Sequence, residues 1–133
     1  MSLYVDSSAL LKHYVEEPDR ERFESVYAAD PIHITGRHTI VEVRRNLARL
    51  LDPGDAAAMR SAFTSDIQSL YLVELDLVVC EDAASIAEVT GIRTLDALHL
   101  AAARRAGDRV TLLTFDLRQA QAARSLGLSV VGA

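Results

Sequence analysis

Four acidic residues occupy places where folding could bring them together. Asp6 and Asp116 each follow a short apolar, β-prone segment, Asp96 lies in the first turn of a predicted helix, and Glu42 lies within another. In one cleft, carboxylates about 4 Å apart would repel by roughly 4 kcal/mol at an effective dielectric constant near 20. A hard divalent cation relieves this repulsion, and oxygen-only ligands favour Mg²⁺ or Mn²⁺ over zinc. The chemistry expected of such a site is metal-assisted cleavage of a phosphodiester.

Each acid also has a simpler explanation when it is considered alone. Asp6 and Asp116 could serve only as helix N-caps, and Asp96 could be favoured only by the helix dipole. Glu42 could form a surface pair with Arg45, worth well under about 1 kcal/mol. The segment around Asp96 is almost wholly apolar, which predicts that this carboxylate points into a partly enclosed space. The chemical interpretation therefore depends on whether the four side chains converge.

The histidines and the single cysteine give weaker signals. His99 lies on an apolar helix, which predicts a packed residue rather than a general base. His13, His33 and His38 show no spacing typical of metal ligands. Because Cys80 is the only cysteine, an intramolecular disulfide and a thiolate metal cluster are excluded, and we expect it to be a buried small hydrophobe.

Predicted strands alternate with predicted helices along the chain. The strands are expected at 3–5, 32–35, 71–75, 110–114 and 128–131, and the helices at 7–16, 19–29, 39–51, 56–69, 81–90, 95–106 and 118–126. Thr94 is the expected N-cap of the helix 95–106. This alternation favours an α/β layer structure with a mainly parallel sheet, in one domain spanning residues 1–133. Ligand sites in such sheets lie beyond the carboxyl ends of the strands, where Asp6 and Asp116 are expected.

Composition restricts the class of protein and its mode of binding. Half of the residues are hydrophobic and a quarter are charged, as in ordinary globular proteins, and the net charge of −5 argues against bulk electrostatic binding of nucleic acid. Lys12 is the only lysine, so thirteen of the fourteen basic residues are arginine. Two arginine clusters could form a phosphate-binding rim or simply a solvated helix face: Arg44, Arg45 and Arg49, and Arg104, Arg105 and Arg109. The short apolar runs and the absence of a secretion-signal pattern predict a cytoplasmic protein without a membrane span.

Four segments of the chain resemble the PIN-domain family, and specifically the VapC-type toxins of bacterial toxin–antitoxin pairs. The segments are YVDSSALLK at 4–12, VEVRR at 41–45, LDALHLA at 95–101 and LTFD at 113–116. Each is moderately specific alone, whereas four in this order and spacing are strongly so. The resemblance covers essentially the whole chain and implies a three-layer α/β/α domain with a mainly parallel central sheet of four to five strands.

The resemblance also implies an activity, a cofactor and partners. It implies an endoribonuclease that depends on Mg²⁺ or Mn²⁺, acts on RNA, is inhibited by a cognate VapB-type antitoxin, and forms a homodimer and a heterotetramer or larger assembly with the antitoxin. Asp6, Glu42, Asp96 and Asp116 match the family's catalytic and metal-binding acids, with Asp6 and Asp96 the surest ligands. Thr114 matches the hydroxyl position that accompanies the fourth acid.

Other phosphoryl-transfer enzymes fit the sequence poorly. A phosphatase of the haloacid dehalogenase type needs a second aspartate two residues after the first, where this chain has Ser8. A response-regulator receiver needs a lysine late in the chain, and Lys12 is early. A PIN-like domain that binds RNA or protein without catalysis stays open as the alternative, although it would leave the four acids without a role.

Overall fold

The computed structural model describes residues 2–133, which form five strands and seven helices. The strands are β1 (Ser2–Val5), β2 (Ile32–Gly36), β3 (Tyr71–Val73), β4 (Val110–Thr114) and β5 (Ser129–Gly132). The helices are α1 (Ser7–Leu11), α2 (Arg20–Ala29), α3 (Thr39–Leu50), α4 (Pro53–Asp66), α5 (Leu77–Thr90), α6 (Thr94–Ala106) and α7 (Leu117–Ser125), and a short 3-10 helix, Ile67–Ser69, follows α4.

The strands form one parallel sheet in the order β3-β2-β1-β4-β5. β1 lies at the centre, where Tyr4 is opposite Ile34 of β2 on one side and Leu112 of β4 on the other. Parallel neighbours require crossover connections, and the helices supply them. The predicted parallel sheet of four to five strands is confirmed, with five.

Helices cover both faces of this sheet. Alternation along β1 sends Tyr4 to one face, where it belongs to a buried cluster with Leu100 of α6 and with side chains of α5 and α7. Val5 points to the other face, into a second cluster that includes Val43 of α3 and Phe63 of α4. The predicted three-layer α/β/α arrangement is therefore confirmed.

The order of the strands brings two loops together at the carboxyl edge of the sheet. The chain leaves β1 for β2 on one side, whereas β4 lies against the other side of β1. The backbone N–H of Asp6 donates to the carbonyl of Leu113 at 3.3 Å, so the end of β1 is fixed against the end of β4. This edge is the topological switch point at which open α/β sheets bind ligands.

Aspartate side chains cap four of the seven helices. In each case the side chain accepts the backbone N–H three residues later, which satisfies one of the free N–H groups of the first turn. These N-caps are Asp6 for α1, Asp52 for α4, Asp76 for α5 and Asp116 for α7. Local capping chemistry therefore explains where these four helices start, whereas α2, α3 and α6 begin without a side-chain cap.

Several predicted details are wrong. The helix expected at 7–16 ends at Leu11, and α5 begins at Leu77 rather than at 81 because Asp76 caps it earlier. Thr94 is the first residue of α6 and not its cap, which is Arg93 without a side-chain hydrogen bond. Cys80 is exposed rather than buried.

The helices can also be compared with what a bilayer requires. Within residues 2–133, no helix combines the length and the apolar character needed to cross a membrane.

Replacing a buried leucine should reduce the free energy of unfolding far more than replacing an exposed one. Leu112→Ala removes a side chain that is 1% exposed, and we expect the free energy of unfolding to fall by about 2–5 kcal/mol. Leu117→Ala, at a position 67% exposed, is the matched control and should change it by less than about 0.5 kcal/mol. Urea unfolding followed by circular dichroism measures both, and equal losses would contradict the assigned core.

Candidate functional site

The four acids that the sequence singled out line one cleft of about 730 Å³. They reach it from four elements: Asp6 follows β1, Glu42 lies on α3, Asp96 lies on α6, and Asp116 follows β4. Ser8 and Leu11 of the region around α1 also line the cleft, as do Asn46, Arg49 and Arg93. The convergence on which the chemical interpretation depends is present.

Asp6 is the most buried of the four, at 3% exposure. Its Oδ1 accepts the backbone N–H of Ala9 at 2.7 Å, and its Oδ2 accepts the hydroxyl of Thr114 at 2.8 Å. The Ser8 hydroxyl donates at 3.1 Å to Oδ2. Burial raises the pKa of Asp6, while nearby His99 and these hydrogen bonds lower it by less. The donors named here are neutral, so the ionised carboxylate would be further stabilised by a cation.

Thr114 connects the two acids that follow strands. Its hydroxyl donates to Asp6 and accepts the backbone N–H of Asp116 at 3.1 Å. Asp116 in turn caps α7 by accepting the backbone N–H of Gln119 at 3.0 Å. The capping role expected of Asp6 and Asp116 is thus confirmed, and it coexists with their place in the cleft.

Asp96 shares a guanidinium with Asp116. Its side chain is 22% exposed, in agreement with the partly enclosed space predicted for it. Arg93 Nε lies 3.4 Å from Asp96 Oδ2, and an Arg93 terminal nitrogen lies 3.9 Å from Asp116 Oδ2. Burial raises the pKa of Asp96, the charge of Asp116 raises it further, and Arg93 lowers it by less. The two carboxylates therefore repel each other through the cleft.

Glu42 is held by a histidine rather than by the arginine considered from the sequence. Its Oε1 lies 2.9 Å from Nε2 of His99, and an ionised carboxylate only accepts, so Nε2–H donates. Burial raises the pKa of Glu42, but the hydrogen bond from His99 and the charge of that ring lower it by more, so the net shift is downward. Repulsion among the acids is not the main influence at this position.

His99 is itself fixed by a buried tyrosine. The hydroxyl of Tyr4 lies 2.8 Å from Nδ1 of His99, and His99 is 1% exposed, as expected for a packed residue. Burial raises the pKa of Tyr4 well above its ordinary value, and the charge of Asp6 raises it further, so the phenol keeps its proton. The protonated phenol can therefore donate a hydrogen bond to Nδ1. A contact between residues 57 positions apart, His99 and Glu42, was not foreseeable from spacing.

His38 also reaches this group, and the prediction that it lacks metal-ligand spacing is wrong. Its Nε2 lies 3.6 Å from Glu42 Oε1, and the rings of His38 and His99 are 4.0 Å apart at their centroids. The ligand atoms of His38, Glu42 and His99 all lie within 4.8 Å of one another. Burial, and then the charge of His99, lower the pKa of His38 to about 4, so the ring is neutral near pH 7. The separation of four residues between His38 and Glu42 was the available signal, because it places both on one side of a helix.

The spacing of the acids suits a hydrated ion such as Mg²⁺ better than an ion whose ligands all come from the protein. Among residues 2–133, no three of the four acids bring ligand oxygens within 4.8 Å of one another. Mg²⁺ usually keeps several waters and takes only one or two carboxylates from the protein. The cleft meets the needs of a hydrated Mg²⁺ ion in three ways. Its donors are oxygens, Asp6 is buried with only neutral hydrogen-bond partners, and the space between the acids is open.

The two arginine clusters have different surroundings. Arg49 lines the cleft and donates to Asn46 at 2.9 Å, so the first cluster has a member on the rim. In the second cluster, Arg104 pairs with Asp82 at 3.5 Å and Arg105 with Asp76 at 3.3 Å. These are partly exposed pairs on α5 and α6, which contribute little to stability.

Comparison with known proteins gives a consistent result. Residues 3–125 match the family model described as PIN domain. Ribonuclease VapC46 of Mycobacterium tuberculosis is 34% identical over 131 residues, which cover 98% of this chain and 96% of that protein.

Two solved structures share the fold. Mycobacterium tuberculosis VapC20, described as a Sarcin-Ricin loop cleaving toxin, matches with a TM-score of 0.74 at 17% identity, over 90% of this chain and 94% of that chain. A toxin-antitoxin complex from Klebsiella pneumoniae matches with a TM-score of 0.67 at 15% identity, over 87% of each chain. At these identities the likeness establishes the fold alone.

Neutralising Asp96 should stabilise the protein in the absence of divalent ions. The raised pKa of Asp96 means that the folded wild type loses stability as the pH rises from the ordinary aspartate value of 3.8 through the raised one. Asp96→Asn carries no such charge, so its advantage in unfolding free energy should be absent near about pH 3 and full near about pH 7.

Urea unfolding in the presence of a chelator measures this difference across that range of pH. Asp108→Asn, at an exposed position, is the control and should show no comparable gain. An advantage of Asp96→Asn that shrinks as the pH rises would contradict the assigned surroundings of Asp96.

Proposed function

The chain belongs to the PIN-domain family, and we propose that it is a VapC-type ribonuclease toxin that hydrolyses RNA phosphodiester bonds and is neutralised by a VapB-type antitoxin. The relative named Ribonuclease VapC46 supports this proposal over nearly the full length of both chains. The single observation that carries it is the convergence of Asp6, Glu42, Asp96 and Asp116 in one cleft.

In this proposal the four acids hold Mg²⁺ or Mn²⁺, with Asp6 and Asp96 as the principal ligands and with Glu42 and Asp116 completing the site. The oxygen-only donor set and the raised pKa values of Asp6 and Asp96 support the assignment, because a cation relieves both burial and repulsion. When bound, such an ion lowers the pKa of a coordinated water and neutralises charge on the phosphodiester.

The chain's own residues orient the acids. Thr114 and the backbone N–H of Ala9 fix the two oxygens of Asp6, and His99 fixes Oε1 of Glu42. The lowered pKa of Glu42 keeps it ionised, so it can accept a hydrogen bond or a proton from the water that attacks phosphorus. Thr114 and His99 act through these carboxylates as positioning residues.

In this proposal two arginines contact the RNA backbone. Arg93 contacts both Asp96 and Asp116, yet its side chain is 80% exposed, and Arg49 of α3 also lines the cleft. Guanidinium groups bind phosphate oxygens in a bidentate manner, and they offset the acidic charge that an RNA strand would meet. The rim can therefore attract RNA although the net charge of the chain is −5.

The assembly and the location of the protein are part of the same proposal. The antitoxin partner is supported by the fold shared with the Klebsiella pneumoniae toxin-antitoxin complex. The family resemblance supports a homodimer and a heterotetramer or larger assembly with the antitoxin. The cytoplasmic location stays a prediction from the sequence pattern. Light scattering of the purified chain tests the dimer, which should have twice the mass of one chain.

Cleavage of RNA by the purified protein should depend on a divalent ion and on the buried acids. We expect cleavage with Mg²⁺ or Mn²⁺, its loss with chelator, and recovery when the ion is restored. Asp6→Asn and Asp96→Asn should reduce the rate to background, whereas the exposed control Asp108→Asn should keep it. Labelled RNA resolved on a denaturing gel gives the rates.

Two outcomes would count against this proposal. Undiminished cleavage by both Asp6→Asn and Asp96→Asn would refute the assigned site. A wild-type protein that binds RNA but cleaves none with either ion would favour the alternative, a PIN-like domain that binds RNA or protein without catalysis.

Removing the hydroxyl of Thr114 should lower the activity and raise the Mg²⁺ concentration that it requires, although all four acids remain. Thr114→Val loses the hydrogen bonds to Asp6 and Asp116, and we expect a roughly 10–100-fold loss of activity together with a higher Mg²⁺ requirement. Thr114→Ser keeps the hydroxyl and should restore most of both. Rates measured across a range of Mg²⁺ concentrations test this, and an unchanged Mg²⁺ requirement in Thr114→Val would exclude the positioning role.

A further inference from the structure

We propose that His38, Glu42 and His99 form a second metal site, one that takes Zn²⁺ in preference to Mg²⁺ and withdraws Glu42 from the acidic cleft when it is filled. The proposal of a zinc site is based on the geometry of these three residues and does not depend on the proposed function. Its effect on RNA cleavage rests on the proposed function, since only there does Glu42 have a catalytic role.

The three ligand atoms are spaced as a zinc ion requires. Ligands about 2.0–2.1 Å from a tetrahedral zinc ion lie about 3.3 Å from one another. Oε1 of Glu42 is 2.9 Å from Nε2 of His99 and 3.6 Å from Nε2 of His38, distances on either side of that value. All three atoms lie within 4.8 Å of one another. Movements of a few tenths of an ångström at Glu42, with a modest approach of the two rings, would complete three of four tetrahedral positions.

His38 supplies an independent indication that a ligand is missing. Its side chain is 9% exposed, and within the described residues 2–133 neither of its ring nitrogens makes a hydrogen bond of normal geometry, although the backbone of Leu95 lies near enough to raise the pKa of His38. A buried polar group without a hydrogen-bond partner carries a free-energy cost. A metal at Nε2 would remove much of that cost, which a structural packing role for the ring would not.

The ring of His38 lies against the backbone of Gly36 in β2. A Cβ atom at Gly36 would lie 2.5 Å from Cε1 and 2.6 Å from Nδ1 of His38, so only a bare glycine backbone admits the ring there. Gly36 therefore contributes to the site through its lack of a side chain.

His99 has the partner that metal-binding histidines usually need. Metal ligands of this kind use one ring nitrogen while the other is hydrogen bonded, and Tyr4 occupies Nδ1. With zinc at Nε2, the ring would carry its proton on Nδ1 and donate it to the Tyr4 oxygen.

The donor set selects the ion. Two imidazole nitrogens and one carboxylate, with a fourth position open, match zinc sites, whereas Mg²⁺ prefers oxygen ligands and waters. The acidic cleft has the opposite preference, and Glu42 belongs to both groups. Zinc held by the histidines would draw Glu42 to them and leave the cleft with three acids.

Cobalt absorption tests the site directly, because tetrahedral Co²⁺ absorbs visible light far more strongly than octahedral Co²⁺. Titrating Co²⁺ alone into the wild-type protein should produce the tetrahedral bands, and Zn²⁺ should then abolish them. His38→Gln and Glu42→Gln should each lose the bands and bind zinc roughly 10-fold or more weakly in competition with a chelating dye. His13→Gln, on the other face of the sheet, is the matched control and should behave as wild type.

Further variants separate this site from the acidic cleft. Asp96→Asn should keep the tetrahedral bands, and far-ultraviolet circular dichroism shows that each variant is folded. The proposal is overturned if Co²⁺ gives only octahedral absorption, if folded His38→Gln and Glu42→Gln bind zinc as tightly as wild type, or if Asp96→Asn alone loses binding.

Activity gives a separate readout. Zinc should inhibit Mg²⁺-dependent RNA cleavage by the wild type, and the fraction of its own zinc-free rate that His38→Gln keeps when zinc is added should be several-fold larger than for the wild type. Equal zinc inhibition of His38→Gln and wild type would overturn the link to Glu42. Tetrahedral bands that depend on His38, in a protein that cleaves no RNA, would support the zinc site and refute the ribonuclease function.

Discussion

The carboxylate of Asp6, buried at the carboxyl end of the central strand, is the constraint on which the rest of the site depends. It caps α1 through Ala9 and accepts the hydroxyl of Thr114, which in turn holds the backbone N–H of Asp116. One charged group thereby joins two neighbouring strands and the starts of two helices. An ionised carboxylate in this place is costly to bury, and its hydrogen bonds offset only part of that cost. A fold that keeps such a group favours a cation beside it.

The four acids of the cleft are not electrostatically equivalent. Burial raises the pKa of Asp6 and of Asp96, and for Asp96 the nearby Asp116 adds to the shift. Glu42 shifts the other way, because His99 donates to it. The cleft thus contains two carboxylates that gain from a cation and one that histidine already holds in its charged form. In the proposed mechanism this division would separate Asp6 and Asp96, as the principal ligands of an ion, from Glu42, as the group that acts on water. The same histidine contact would make Glu42 available to the second metal proposed above.

Much of this arrangement could be read from the sequence, for identifiable physical reasons. The β-prone segment 110–114 coincides with β4. Asp6 and Asp116 stand out in the sequence as site candidates because each follows a predicted strand and is also a typical N-cap for the next helix. The start of α5 was missed, since the apolar residues 77–80 show no helical period and the capping role of Asp76 was not recognised.

The histidines show what could not be read. His38 lies four residues before Glu42, a separation visible in the sequence, but its burial without a hydrogen bond of normal geometry is a property of the packed structure. The contact of Glu42 with His99 joins α3 to α6, and only the packing of those two helices about the end of the sheet reveals it. Long-range contacts of this kind depend on the order of the strands, which periodicity does not specify.

Anomalous diffraction from crystals of the protein soaked in Mn²⁺ tests the central claim most directly. The convergence of the acids implies a manganese peak in the cleft, within bonding distance of carboxylate oxygens of both Asp6 and Asp96. A crystal with full manganese occupancy elsewhere and no peak between these two residues would contradict it.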